Sequence, residues 1–183
     1  MGLGLAGLPG TPIRKLLLND VGPHIEPPAL ERIGSYVGKP VRFATLQEGI
    51  DHAAMLAESF GPLTQDEWRE INTPLLRERS DGAWEFRYDP AIAVPFGVSS
   101  PEASAAGEAA LWYSLQSIAS PVLVVRGAQS DLLSPETVAQ MVARGRAVSS
   151  VEIPGVGHAP AFLDAAQIGV ARRFFLGERE AAS

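Results

Sequence analysis

The sequence contains no cysteine. Disulfides, cysteine nucleophiles and thiolate metal sites are thereby excluded, and a cytoplasmic location is expected. Cationic residues are scarce: 15 Lys+Arg against 21 Asp+Glu leave a net charge of −6. Such a balance argues against a nucleic-acid footprint. Histidine occurs only at positions 24, 52 and 158, without metal-ligand spacing, so no metal is expected. Every apolar run is broken by Pro, Gly or charge within about ten residues, too short to cross a membrane. The apolar start, Met1-Gly2-Leu3-Gly4-Leu5-Ala6-Gly7, lacks the basic region of a secretory leader.

A motif is missing as well. Gly-x-Ser-x-Gly, which exposes a nucleophilic serine on a sharp strand-to-helix turn, occurs nowhere in the 183 residues. Length and composition are otherwise those of an ordinary globular domain, 46% apolar and 20% charged.

Three apolar runs read as buried parallel strands. Leu16, Leu17 and Leu18 form the first, closed by Asn19-Asp20-Val21-Gly22-Pro23. The second is Ser120-Pro121-Val122-Leu123-Val124-Val125-Arg126-Gly127, followed by Ala128-Gln129-Ser130-Asp131. The third, residues 149–153, runs into Pro154-Gly155-Val156-Gly157-His158. Helices are expected between and after these strands. Ser134-Pro135-Glu136 places an N-cap, an N1 proline and a first-turn acid at one start. The last helix, residues 162–176, stops at Gly177.

Residues 26–110 differ in texture. Leu30, Ile33 and Val37 mark a helix ending at Gly38. Thr45-Leu46-Gln47-Glu48 and Thr64-Gln65-Asp66-Glu67 are capping boxes that open two more. Asp81-Gly82 is a turn, and the alternation in Trp84-Glu85-Phe86-Arg87-Tyr88 predicts a small strand. A Pro-, Ala- and Ser-rich stretch, 95–107, reads as a linker to a helix carrying Leu111, Trp112, Leu115 and Ile118. The order is α/β, with a mostly helical excursion after the first strand.

An acid after one strand and a histidine after the next is how a hydrolase orients and charges its general base. Asp131 is the candidate acid and His158 the candidate base. Ser134 already caps the following helix, which leaves Asp131 free for another partner. Gly155 and Gly157 allow a sharp turn before His158, and Pro160 stiffens the far side. Asp20 reads as a turn residue. His24 and His52 lack such framing and are assigned no role. Ser99, Ser100, Ser130 and Ser134 sit in loop or capping contexts, so none is a candidate nucleophile.

Together these segments resemble the α/β-hydrolase family, in the branch with a helical cap inserted late in the sheet. Leu18-Asn19-Asp20-Val21-Gly22-Pro23 looks like the end of the sixth strand; residues 122–131 look like the seventh strand and its acid. Residues 151–158 look like the eighth strand and the histidine loop. The resemblance implies the C-terminal half of an α/β-hydrolase fold: three parallel strands with flanking helices, plus a mostly helical cap. It implies core over 1–25, cap over 26–110 and core again over 111–183.

Residues 1–7 look like the tail of the helix after the nucleophile elbow, so the serine is expected upstream and the chain alone is expected to be inactive. The implied chemistry is Ser-His-Asp hydrolysis of an ester-like or activated carbonyl compound with an apolar acyl group. Asp131 would serve as acid and His158 as base, with no cofactor. Some members of the family place the acid instead where Asp20 follows its strand, but with Asp131 present Asp20 is read as a turn residue. A sheet ending at its sixth strand is expected to self-associate through the open edge. The alternative is a non-catalytic binding or interaction module derived from a hydrolase.

Overall fold

The computed structural model describes residues 1–98 and 100–177. Ser99, passed over above as a nucleophile, lies outside the described residues. The short helix α1 (Gly2–Ala6) precedes strand β1 (Leu16–Asn19). The excursion supplies α2 (Pro27–Gly34), α3 (Leu46–Leu56), α4 (Gln65–Asn72), β2 (Leu76–Glu78), β3 (Trp84–Phe86) and α5 (Val94–Val98). Helix α6 (Pro101–Ser117) leads back to β4 (Val122–Gly127), α7 (Pro135–Arg144), β5 (Val148–Ile153) and α8 (Ala165–Leu176).

The three apolar strands form one parallel sheet in the order β1-β4-β5. Leu18 stands opposite Val124, and Val125 opposite Val151. Successive side chains of a strand point to opposite faces. Val122 and Val124 therefore join a core with Leu18, Leu115, Ile118, Leu133 and Met141. Leu123 and Val125 join another, with Ile153 and Val156 and the α8 residues Val170 and Phe174. Helices α6 and α7 cover one face and α8 the other, so an unbroken apolar run suits β4.

A second sheet lies in the excursion. Strand β3 pairs antiparallel with β2, Leu76 opposite Phe86 and Arg77 opposite Glu85, and Phe43 bridges to Trp84. Sequence pattern had marked only the β3 side. Leu76-Arg77-Glu78 has a single apolar residue, and the pair is held by Arg77 and Arg79 on Glu85 as well as by the Phe43, Ile50 and Leu76 core.

Residues 95–107 are mostly helix rather than linker. Ser100 caps α6, its side chain accepting from Ala103 N, and Pro101 occupies the first turn. Proline there costs nothing, and the alanines that follow are strong helix formers. The helix crosses residue 110 unbroken, where a boundary was expected. The final helix begins at Ala165, not at 162, because Asp164 caps it by accepting from Gln167 N at 2.8 Å. Phe162 lies outside it, with φ of 55°. The expected Thr64 capping box forms completely; at Thr45, Glu48 reaches back to Ala44 N instead.

One contact ties the loop after β1 to α6. His24 Nδ1 lies 2.9 Å from Glu108 Oε2, and Trp112 Nε1 donates to Glu108 Oε1 at 3.2 Å. The bond to His24 holds the Glu108 carboxyl below its usual range, against the opposing effect of burial. A depressed folded-state pKa contributes stability above the unfolded value, near 4.5, and loses it as pH falls through the lower folded value. Glu108→Gln is expected to lower stability at pH 7 by less than about 1 kcal/mol, because the carboxylate is 39% exposed. Urea midpoints of the two proteins should converge well below that pH. A constant difference across the range would show that the charge of Glu108 contributes nothing.

Candidate active site

In a parallel sheet all strands end at one edge, where such folds bind their ligands. Here β1 leads into Asp20, β4 into the loop 128–133, and β5 into the loop 154–160. These three segments meet.

Asp20 is completely buried, at 0% exposure. Its φ of 53° is in the left-handed region, which Asp tolerates better than most residues. Its N–H donates to Val125 O at 2.7 Å, which locks the turn to the neighbouring strand. Three donors converge on its carboxylate. Gly127 N donates to Oδ1 at 2.9 Å; Ser130 Oγ and His158 Nδ1 lie 2.6 and 2.9 Å from Oδ2.

The histidine loop is fixed from several sides. Gly155 turns it with φ of 73°, and Val156 anchors it in the core, its carbonyl accepting from Gln129 N at 2.8 Å. Gly157 N donates to Ser59 O at 2.6 Å, and Ser59 Oγ donates to His158 O at 2.6 Å. Asn19 Nδ2 donates to Pro160 O at 3.0 Å. In the neutral imidazole, a proton on Nδ1 directed at Asp20 leaves Nε2 its lone pair; the side chain is 29% exposed.

Asp131 is not part of this cluster. Its carboxylate takes a fork of hydrogen bonds from Arg32 Nε and Nη2, at 2.8–3.0 Å, joining the loop after β4 to α2. The two side chains are 50% and 42% exposed. The expectation that Asp131 holds His158 is therefore corrected: Asp20 does. The reason is placement. Asp20 leaves its strand directly and lies beneath the loop 128–133. Asp131 sits at the outer turn of that loop, facing the helical excursion. Ser134 does cap α7, as expected, but the partner left for Asp131 was Arg32 rather than the imidazole.

The sequence signal for Asp20 was an acid directly after an apolar strand, a position that the resemblance also allows for the acid; its burial is visible only in the structure. The remaining candidates fall elsewhere. His52 packs among Phe43 and Phe86, with ring centroids 5.3 and 6.1 Å away. Ser100 and Ser134 cap helices. None of the hydrogen bonds found among the described residues joins a serine to the His158 ring. Among the described residues no group of three His, Asp or Glu could hold a metal ion, and no helix is long and apolar enough to cross a membrane.

No protein-family model matches the sequence. Among solved structures, a protein from Rickettsia typhi described as a hydrolase superimposes with a TM-score of 0.81. It shares 23% identity, over 97% of this chain and 59% of that one. An α/β hydrolase from Novosphingobium aromaticivorans has a TM-score of 0.77 and 31% identity, over 94% of this chain and 60% of its own. A 3-hydroxybutyrate-oligomer hydrolase from Cupriavidus necator is 60% identical over 180 residues, 97% of this chain and 61% of that protein. The chain has the α/β-hydrolase fold. It spans 61% of the length of the Cupriavidus relative, and its parallel sheet with flanking helices is the fold that the resemblance implied.

Proposed function

We propose that Asp20 and His158 are the acid and base of a Ser-His-Asp hydrolase that cleaves esters. Its serine is supplied by a segment outside these 183 residues. One observation carries this reading: a fully buried carboxylate at 2.9 Å from a half-buried imidazole, at the carboxyl edge of a parallel sheet. A serine on an elbow attacks the ester carbonyl while Nε2 of His158 takes its proton and passes it to the leaving alcohol. Asp20 holds the tautomer and stabilises the imidazolium. Water then releases the acyl group by the same route. The oxyanion donors belong to the same outside segment as the serine.

The name of the Cupriavidus relative supports esters of 3-hydroxybutyrate oligomers as the substrate class. Residues 26–110 serve as a cap. A groove of about 1040 Å³ beside α2 and α5, lined by Pro27, Leu30, Ala93, Pro95 and Phe96, offers such short chains an apolar wall. The cysteine-free sequence supports a cytoplasmic location. Strand β1 is an edge strand, and the chain made alone is expected to self-associate there.

The test joins this chain to the portion of the Cupriavidus relative that it does not span. The joined protein is expected to hydrolyse dimers and trimers of 3-hydroxybutyrate, and His158→Ala to abolish that turnover. A folded hybrid that binds the oligomers without cleaving them would instead favour the non-catalytic module.

A further inference from the structure

We infer that Ser130 is a positioning residue for the base, its hydroxyl locking the Asp20 carboxylate in the orientation that accepts from His158. The inference rests on the roles proposed above for Asp20 and His158. A serine hydroxyl has one proton and two acceptor lone pairs. Ser130 Oγ accepts from Leu132 N and from Leu133 N, both at 3.1 Å. Both lone pairs are thereby engaged, and the proton is left for Asp20 Oδ2 at 2.6 Å, the length of a hydroxyl donating to a carboxylate. That oxygen is also the one that faces His158 Nδ1. Gly127 N holds the other oxygen from β4. Two fixed donors thus set the plane of the carboxylate before the imidazole arrives.

The loop that presents Ser130 is itself stapled to β4. Arg126, on that strand, is buried beneath it, and Nε donates to Leu133 O at 2.7 Å. Nη1 reaches Ala128 O at 3.3 Å and Glu152 at 2.6 Å, and Nη2 reaches Ser130 O at 3.4 Å. A serine that merely shaped the turn would need only the two bonds it accepts from Leu132 and Leu133. Its third bond, to a buried carboxylate from a strand more than a hundred residues away, has no part in the turn.

Proton NMR of the 183-residue chain at low temperature tests the inference without requiring turnover. An imidazole Nδ1 proton shared with a carboxylate resonates far downfield. Two such signals are expected, from His158 with Asp20 and from His24 with Glu108, the second an internal reference. Asp20→Asn should remove the first and spare the second. Ser130→Ala should broaden the first beyond detection or move it upfield. If Ser130→Ala disturbs the loop, Ser130→Thr and Ser130→Val decide, since they share one shape and differ in the hydroxyl. Thr should restore the signal and Val should not. A His158 signal that vanishes in Asp20→Asn but is unchanged in Ser130→Ala and Ser130→Val overturns the role of Ser130 alone. A signal absent from the unsubstituted chain, or surviving Asp20→Asn, overturns the Asp20–His158 reading beneath it.

Discussion

In the joined enzyme, Asp20→Asn is expected to lower kcat about ten-thousand-fold, the loss seen when a Ser-His-Asp protease loses its acid in the same way. Asparagine has the shape of aspartate but offers a neutral amide. It cannot hold the imidazole with its proton on Nδ1 as the carboxylate does, so Nε2 is no longer reliably free to accept. The fold should survive with some loss of stability, because the single amide oxygen can keep the Gly127 N–H anchor while the amide nitrogen takes the place of the oxygen that Ser130 and His158 face. Asp131→Asn should change the rate by no more than about five-fold, since an exposed ion pair contributes at most about 1 kcal/mol. Initial rates on a soluble ester, with circular dichroism to confirm the fold, measure both. Should Asp131→Asn silence the enzyme while Asp20→Asn leaves it active, the acid is Asp131 and the geometry described above is not the working one.

Gly127→Ala should be the most disruptive small substitution at the site. A Cβ at this position would stand 2.2 Å from Gly157 O and 2.6 Å from Val156 O. Both are backbone atoms of the histidine loop, which cannot swing aside as a flexible side chain would. Either β4 or the loop must move, and the Gly127 N–H that anchors Asp20 moves with it. Overpacking typically costs about 1–3 kcal/mol, and a backbone clash belongs at the upper end of that range. The urea midpoint of the chain should fall with an unchanged m-value. In the joined enzyme the rate should fall with it. An unchanged midpoint would show that the two segments are farther apart than the structure places them.

Much of the fold was legible because its determinants are local. Leucine and valine runs of strand length marked β1 and β4. Ser134-Pro135-Glu136 marked the start of α7, and Gly177 the end of α8. Where local cues misled, a cap or a partner had decided. Ser100 and Pro101 start a helix in a stretch that composition alone suggests is linker. Strand β2 exists because β3 lies beside it, and its own three residues carry almost no strand pattern.

The candidate site divides in the same way. The residues themselves determined that a histidine would sit in a glycine-framed loop after a buried strand, and that an acid would follow a neighbouring one. They also determined that the Gly-x-Ser-x-Gly motif does not occur in the sequence. Which acid meets His158 was decided only by the tertiary structure. Asp20 and His158 are 138 positions apart, and nothing in the spacing of either reports the other. Strand order β1-β4-β5 carries the histidine loop across the end of β4 to the end of β1. Burial then selects between the two carboxylates: Asp20 is covered by the loop above it, whereas Asp131 is held outward by Arg32. A hydrogen bond between side chains depends on positions in space, and those are set by how the strands pack.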